Sequence, residues 1–347
     1  EEEPASARRP GRRPEYNPGA MIRLFTSRRC LEHRPPGRFP EGPDRLRAIL
    51  DHLGPGSSAP LGFEEVDSPA GADPPGPVLA VHDAGYVRRL RQAVERGDGL
   101  IDSADNPLSP GTWDAAVASV EAVLAATRWA AGGEGRHAFA AVRPPGHHAE
   151  RARAMGFCFF SNAVVAALEL LEGEAGGAGE RPRKVAVVDF DVHHGNGTQH
   201  LTEDRPDVFY ASLHQWPFYP GTGARTERGV GEGEGTVVNV PLPAGTPGEE
   251  LLEAMDRDVL PALERFGPEF LVVSAGFDAW RNDPLGGMLL DEDAFRRIGR
   301  RMGTVAAACG DRSVSLLEGG YDVQALPRLL RVYLEGLEGG GASGGGS

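Results

Sequence analysis

Short apolar runs alternate with longer segments of helical spacing through most of the chain. Apolar runs bounded by turn residues predict buried strands, and seven are present: 21–26, 138–142, 184–188, 207–213, 236–240, 270–274 and 313–317. A more polar run at 62–66 is a further candidate strand. Segments whose apolar positions recur at helical spacing lie between them: 43–53, 82–95, 112–131, 162–171, 198–202, 248–266, 291–309 and 323–337. This alternation predicts a three-layer α/β/α fold with a mainly parallel central sheet.

The remaining segments are predicted to be loops and tails. Residues 1–20 are polar and rich in Pro and Arg, so we expect a disordered extension. Residues 54–77 are loop-rich apart from the run at 62–66, and 99–110 is predicted to be an irregular loop. Residues 339–347 are Gly and Ser apart from one Ala, which is typical of a flexible tail.

Composition and charge narrow the range of partners. The chain has 36 basic and 50 acidic residues, a net charge of −14, which disfavours direct nucleic-acid binding and is compatible with a cationic substrate. Cys30, Cys158 and Cys309 are scattered, so we expect a reducing, cytoplasmic location rather than a disulfide framework. We expect no membrane span and no signal peptide. Abundant Gly and Pro, with Lys184 as the only lysine, are typical of a GC-rich bacterial genome.

A polar run directly follows the most apolar of these strands. Asp189, Asp191 and His193 alternate along it, so a continued strand would place them on one face. Two carboxylates beside His193 and His194 are costly to bury unless a cation compensates their charge. Helix capping would explain one aspartate, but it does not explain the pair together with two histidines.

Polar residues follow four of the predicted strands in all. They are His147 and His148, the run 189–194, Asp278, and Tyr321. Because parallel strands bring their carboxyl ends to one edge of the sheet, where open α/β proteins bind ligands, we expect these groups to converge. The convergence is stronger support for a site than any single motif.

Asp191, His193 and Asp278 offer two carboxylates and one imidazole. Three protein ligands leave a position open for water, the arrangement of a catalytic zinc site, although the same ligands also suit Fe²⁺ or Mn²⁺. A bound metal of this kind lowers the pKa of water and polarises a carbonyl. Asp278 on its own would be interpreted as a helix cap.

The other polar residues suit acid–base chemistry. In the pair His147–His148, one ring can act as a general base while a carboxylate holds the other. Tyr321 follows two glycines at a strand end and can donate a hydrogen bond to an oxyanion. Phe157, after Gly156, and Tyr219 can form two walls of an apolar slot. Taken singly, turn histidines, a half-buried tyrosine and core aromatics are equally compatible with these residues.

These motifs resemble the histone deacetylase and acetylpolyamine amidohydrolase superfamily, which has an arginase-like fold. They occur in the family order: RPPGHHA at 143–149, GFCFFSN at 156–162, DFDVHHGNGT at 189–198, SLH at 212–214, PGTG at 220–223, SAGFDA at 274–279 and EGGY at 318–321. The EGGY motif and Asn196 are similar to the class II and bacterial branch. The resemblance implies one deacetylase-like catalytic domain over residues 21–338.

The resemblance also implies roles for the polar residues. It implies a zinc ion bound by Asp191, His193 and Asp278, with Fe²⁺ possible in its place. It implies that His148 is the general base and then the general acid, that His147 is its electrostatic partner bonded to Asp189, and that Tyr321 polarises the substrate carbonyl. A structural potassium ion is implied at a set of five residues: Asp189, Asp191, His193, Ser212 and Leu213.

On the substrate side, the resemblance implies that Phe157 and Tyr219 line the acyl-lysine tunnel next to Gly156. It implies that Leu285 lies at the tunnel rim and that Asp105 holds the substrate backbone. Asn196 stands where class I members have an aspartate behind the second histidine, and a neutral partner raises the pKa of His148 less than a carboxylate does.

The implied function is removal of acetyl or other acyl groups from Nε-acyl-lysine side chains of proteins. An acetylpolyamine amidohydrolase is the first alternative, which the absence of a gatekeeper glutamate at Leu285 disfavours. A dinuclear manganese ureohydrolase needs more aspartate ligands around a second metal, and this site has ligands for only one transition metal. A non-catalytic acyl-binding module has no need of the histidine pair or of Tyr321. The sequence leaves the oligomeric state open.

Overall fold

The structure is a computed structural model that describes residues 22–57, 61–133, 136–173 and 181–341. The extension expected at 1–20 lies outside the described residues, as do positions 342–347 of the expected tail. Among the residues that the structure describes, no helix combines the length and the apolarity needed to span a bilayer.

Within these described ranges, the centre of the molecule is a parallel sheet of eight strands, which confirms the predicted fold class. The strands are β1 Ile22–Thr26, β2 Gly62–Glu65, β5 His137–Ala140, β6 Val185–Asp189, β7 Val208–Gln215, β8 Val237–Leu242, β9 Phe270–Ala275 and β10 Ser313–Leu317. Their order across the sheet is β2-β1-β5-β10-β9-β6-β7-β8. Every residue of β6, β9 and β10 is buried, so helices cover both faces of the sheet.

The helices occur between the strands, as the alternating pattern predicts. They are α1 Pro43–Leu53, α2 Gly76–Val81, α3 Ala84–Arg96, α4 Thr112–Ala131, α5 Asn162–Glu172, α6 Asn196–Thr202, α7 Gly248–Ala254, α8 Leu260–Phe266, α9 Glu292–Ala308 and α10 Leu326–Gly341. Helices α4 and α5 pack together against the sheet, and α9 packs along α10. Side-chain caps start two of them, because Asp83 accepts from the amides of Gly85 and Tyr86, and Asp291 accepts from that of Ala294.

Two segments predicted as loops contain regular structure. Residues 99–110 form an antiparallel ribbon of β3 Leu100–Ile101 and β4 Ser103–Pro107. Asp102 makes the tight turn between them at φ 61°, a conformation that Asp tolerates better than most residues. The last residues of the loop predicted at 54–77 belong to α2. Pro77 lies in the first turn of this helix, where its missing N–H costs nothing.

Two helix predictions have wrong limits. The helix predicted over 248–266 is interrupted by a π-helical turn at Met255–Val259, directly before Pro261, which cannot donate to the regular α-helical ladder. Helix α10 begins three residues later than predicted and continues to Gly341. The first residues of the predicted flexible tail are therefore helical.

Candidate active site

Four neighbouring strands carry the polar motifs. Strands β5, β10, β9 and β6 are adjacent at the middle of the sheet, and the histidine pair, Tyr321, Asp278 and the 189–194 run follow them. Their carboxyl ends therefore bring four segments, distant in sequence, to one edge.

Asp191, His193 and Asp278 form a compact group of possible metal ligands. One ligand atom of each lies within 4.8 Å of the others, and all three residues are buried. Nδ1 of His193 is 3.0 Å from Oδ1 of Asp191 and 3.1 Å from Oδ2 of Asp278. Backbone amides hold the carboxylates, since Gly319 donates to Asp191 and Val192 donates to Asp278.

The charges of this group are those that a bound cation would balance. Burial, with the charge of Asp191, raises the pKa of Asp278 to about 7. Burial opposes charge on His193, but its bonds to Asp191 and Asp278 raise its pKa to about 10. Two buried carboxylates that crowd one imidazole fit a divalent cation with nitrogen and oxygen ligands. The donor chemistry therefore suits the metal site that the sequence predicts.

Asp189 is the last residue of β6 and its carboxylate has partners of its own, which corrects the prediction that Asp189, Asp191 and His193 share one strand face. Strand β6 ends at Asp189, so strand alternation does not extend to Asp191 and His193. Oδ2 of Asp189 instead lies 3.1 Å from Nδ1 of His147 and accepts a hydrogen bond from Tyr210 at 3.2 Å. Burial opposes charge on His147, but Asp191 and Asp189 raise its pKa to about 10.

His148 has a different environment from its neighbour. The two rings are 3.9 Å apart between centroids, and Nδ1 of His148 is 2.8 Å from Oδ1 of Asn196. Burial, and then the positive charges of His147 and His193, hold the pKa of His148 well below its usual range. One histidine of the pair is therefore stabilised as a cation and the other as a neutral base.

Tyr321 lies between the sheet edge and the loop before α1. The guanidinium carbon of Arg45 is 4.8 Å from the centre of the Tyr321 ring, and Asp283 accepts from its backbone amide at 2.6 Å. Burial raises the pKa of the phenol well above its usual range, so it keeps its proton and can donate a hydrogen bond. Asp283 also accepts from the amide of Leu285 at 2.9 Å, which ties that residue to the same loop.

The aromatic residues expected to form a slot lie around the histidines. The Tyr219 ring packs edge-on against His148 with centroids 5.1 Å apart, and Phe157 packs edge-on against Tyr321 at 6.0 Å. A Cβ at Gly156 would collide with the His148 ring, so only glycine permits this approach. The carboxylate of Asp105 is bonded to the Tyr219 hydroxyl and to the Gly156 amide, at 2.7 and 3.1 Å.

The five residues expected to hold potassium lie at the same edge of the sheet as the possible metal ligands, and two of them, Asp191 and His193, belong to both sets. Asp189 pairs with Ser212 in the register of β6 and β7. Leu213 is the next residue of β7, and Asp191 and His193 follow β6 at the same edge. The five residues therefore share one small region, although the Ser212 hydroxyl also lies 2.9 Å from Nδ1 of His214.

Two buried carboxylates that support the site had no role in the sequence analysis. Glu318, in the EGGY motif, accepts from the backbone amides of Gly146 and His147 at 2.7 and 3.1 Å. Burial raises its pKa to about 7. Glu41 forms a two-pronged ion pair with Arg143, with both distances 2.7 Å. A charged residue inside a glycine-rich or proline-rich motif was the signal that could have found them.

Arg45 and Glu150 are the other supporting residues that the sequence analysis missed. Arg45 is paired with Glu41 at 3.2 Å and donates to the carbonyl of Gly320 at 2.7 Å, next to Tyr321. Glu150 accepts from the side-chain amide of Asn196. Both residues act on the catalytic groups through an intermediate, so no motif of reactive residues reveals them.

The chain is similar in sequence and in fold to known proteins. The histone deacetylase domain family matches residues 39–337. A histone deacetylase-like amidohydrolase from Pseudomonas aeruginosa is 39% identical over 302 residues, which cover 86% of this chain and 76% of that protein. An acetylpolyamine amidohydrolase from Mycoplana ramosa is 35% identical over 314 residues, 80% of this chain and 87% of that protein.

Solved structures agree with this assignment. The crystal structure of an acetylpolyamine aminohydrolase from Burkholderia pseudomallei matches with a TM-score of 0.80 at 32% identity, over 92% of this chain and 99% of that chain. Family, relatives and fold therefore coincide over most of the sequence, and the chain belongs to the histone deacetylase family.

Proposed function

We propose that the chain is a zinc-dependent amidohydrolase that removes acetyl or other acyl groups from Nε-acyl-lysine side chains of proteins. One observation carries the proposal: a buried group of two carboxylates and one imidazole lies beside a histidine pair in which one ring is stabilised as a cation and the other as a neutral base. Hydrolysis of an unactivated amide needs an electrophile, a base and an oxyanion donor in one place, and this edge of the sheet offers residues for all three.

Asp191, His193 and Asp278 are the residues that would hold the metal. Bound there, zinc would supply Lewis acidity toward the amide carbonyl and would lower the pKa of a coordinated water. The same donors accept Fe²⁺. The shared region of Asp189 and Ser212 would hold the potassium ion as a structural element.

The protein's own residues perform the proton transfers. Nδ1 of His148 is bonded to the Asn196 carbonyl oxygen, so Nδ1 carries the proton and Nε2 is free to accept one from the attacking water. His148 then returns that proton to the nitrogen of the leaving amine. The nearby positive charge of His147 keeps His148 a weak base, and therefore a strong acid for this second step.

Tyr321 and the aromatic walls act on the substrate. The neutral Tyr321 phenol donates a hydrogen bond to the carbonyl oxygen as negative charge develops on it. Phe157 and Tyr219 flank an alkyl chain and exclude water from the reacting amide. The relative from Mycoplana ramosa is named an acetylpolyamine amidohydrolase, so small acetylated amines are the second candidate substrate class.

The deciding experiment measures amine release by the zinc-loaded protein from an acetyl-lysine peptide and from an acetylated polyamine, side by side. Tyr321→Phe should reduce turnover about 10²- to 10³-fold, as loss of one oxyanion donor does elsewhere. Tyr333→Phe is the matched control, because it removes a buried hydroxyl bonded to Ser315 in another part of the core.

Four outcomes separate the hypotheses. Peptide turnover that depends on Tyr321 supports a protein deacylase, and preference for the polyamine supports the small-molecule alternative. Full activity of Tyr321→Phe would refute its role as oxyanion donor. Zinc binding with no turnover of either substrate would favour an acyl-binding module.

A further inference from the structure

The ribbon of β3 and β4 lies beside the segment that carries Phe157. Three side chains of this ribbon accept hydrogen bonds from backbone amides of that segment. Asp102 accepts from Ala154 at 2.8 Å, and two further bonds go from Gly156 to Asp105 at 3.1 Å and from Phe157 to Asn106 at 3.0 Å. The ribbon therefore holds the backbone of this wall of the slot at consecutive points.

Phe157 needs this support because of its backbone conformation. Its φ is 70°, in the left-handed region that non-glycine residues rarely occupy. Such a conformation persists only when its surroundings over-determine it. The consecutive amides of this turn donate to the side chains of Asp105 and Asn106, and these hydrogen bonds are the local contacts that hold the conformation.

Asp105 also reaches the opposite wall. The oxygen that accepts from the Gly156 amide, Oδ2, accepts from the Tyr219 hydroxyl at 2.7 Å. The Tyr219 ring in turn packs edge-on against His148 and His193, at 5.1 and 6.1 Å between centroids. One carboxylate oxygen therefore joins the two aromatic walls.

The other carboxylate oxygen of Asp105 is also occupied. Oδ1 accepts from the Ser103 hydroxyl, which itself accepts from the side-chain amide of Asn106. Burial opposes charge on Asp105, but the bonds from Ser103, Tyr219 and Gly156 lower its pKa, so it is a carboxylate at neutral pH. A substrate amide would have to share or displace these internal donors.

We propose that Asp105 is a positioning residue that joins the two aromatic walls through one carboxylate oxygen. The acyl end of a substrate has to enter between these walls before the alkyl chain lies there, so their separation sets the size of acyl group that the slot accepts. The inference rests on the proposed function and deepens it. It differs from the role implied by the family resemblance, in which this aspartate holds the substrate backbone. In this role, acyl-group selectivity depends on the bond between Asp105 and Tyr219 within the enzyme and not on a contact between Asp105 and the substrate.

The test compares acetyl with butyryl substrates, each on a lysine peptide and on a diamine that lacks backbone amides. Tyr219→Phe keeps the ring and removes the bond, so kcat/KM for acetyl relative to butyryl should fall about tenfold, the lower end for a lost hydrogen bond to a charged group. Asp105→Ala should shift the ratio in the same direction, on both scaffolds. In the double variant the two effects should not add.

Two controls separate this from a merely structural effect. Asp105→Asn keeps an oxygen that can accept both bonds and should retain the selectivity of the wild type. Tyr333→Phe should leave the ratio unchanged. If Asp105→Ala weakens only the peptide, as a higher KM, while Tyr219→Phe changes nothing, Asp105 binds substrate directly and the proposal is overturned.

Amide hydrogen exchange tests the clamp independently of any activity. In the holoenzyme, Asp105→Ala should accelerate exchange in segments 154–158 and 216–223, whereas Tyr219→Phe should accelerate it in 216–223. Unchanged exchange in 216–223 in both variants would refute the clamp. A wild-type protein that hydrolyses none of the four substrates would instead refute the proposed function, and the exchange result would still decide the clamp.

Discussion

Oδ1 of Asn196 lies 2.8 Å from Nδ1 of His148, while the amide nitrogen of Asn196 donates to the carboxylate of Glu150. The side chain of Asn196 can turn either its oxygen or its nitrogen toward Glu150, but a carboxylate only accepts hydrogen bonds and therefore binds the nitrogen. The carboxylate therefore turns the oxygen toward His148 and selects the tautomer with Nε2 unprotonated. Glu150 is held in turn by Nδ1 of His200 at 2.8 Å.

Glu150→Ala should therefore lower kcat by about tenfold with little change in KM, part of the 10²–10⁴ that a general base supplies. Without the carboxylate, Asn196 is free to turn its nitrogen toward His148, which favours the tautomer that cannot accept the proton. Steady-state kinetics on an acetyl-lysine peptide measure the effect. Glu150→Gln retains an acceptor oxygen and should keep most of the activity; equal losses in both variants would contradict the argument.

Glu318 should stabilise both the fold and the histidine loop. Glu318→Ala leaves the buried amides of Gly146 and His147 without an acceptor, at about 1–3 kcal/mol for each. We expect the free energy of unfolding to fall by about 3 kcal/mol and kcat to fall with it. Chemical denaturation and steady-state kinetics measure the two effects.

Glu318→Gln is the matched control, because its carbonyl oxygen can accept from both amides and its nitrogen can donate to Ser274, which now donates to Glu318. It should recover most of the stability. A Glu318→Ala variant as stable as the wild type would show that these amides find other acceptors.

The fold was predictable because its strands carry a strong pattern. Seven of the eight strands described in the main sheet coincide with apolar runs, since strands buried on both faces read as continuous apolar segments, whereas the edge strand β2 is partly exposed and carries two glutamates. The convergence of Asp191, His193 and Asp278 follows from the parallel arrangement. The shared strand face of Asp189, Asp191 and His193 was predicted wrongly, because the run gives no sign that β6 ends at Asp189, whereas the implied contact of Asp189 with His147 is present.

The supporting residues could not be predicted in the same way. Glu318 and Asn106 act by accepting hydrogen bonds from backbone amides. The charge of Glu318 within its glycine-rich motif marks the residue, but the amides that it binds have no sequence signature. Glu41 and Arg143 pair across about a hundred positions, a distance over which spacing carries no information. These contacts depend on how the loops pack at the sheet edge, which tertiary structure alone determines.

Metal removal should destabilise the protein. A ligand that binds only the native state at a thousandfold excess over its Kd contributes about 4 kcal/mol, and the buried carboxylates of Asp191 and Asp278 lose their compensation without it. We expect chelator treatment to lower the thermal midpoint and added zinc to restore it. Asp278→Asn should abolish this zinc-dependent increment.

Asp283→Asn is the matched control for the metal prediction. Asp283 is a buried carboxylate that does not belong to the ligand group, and it accepts a hydrogen bond from the Tyr321 amide. Its replacement should therefore lower the thermal midpoint, while the zinc-dependent increment remains. Equal midpoints of the wild type with and without zinc would contradict the proposed site.

Acid should destabilise the fold through His82. This residue is buried; its Nδ1 lies 2.9 Å from the carbonyl of Glu150, and its Nε2 accepts from the amide of Ser161 at 2.9 Å, so only the neutral ring satisfies both contacts. Burial lowers the pKa of His82 from 6.5 to about 4. Between these values the unfolded chain binds more protons, so stability present above pH 6.5 is lost as the pH falls, about 3 kcal/mol by pH 4. His82→Gln can keep both bonds without titrating, so denaturation measured between pH 7 and 4 should show a shallower loss of stability for this variant than for the wild type. His52→Gln, at an exposed histidine of α1, is the control. Parallel stability curves for His82→Gln and the wild type would exclude this role of His82.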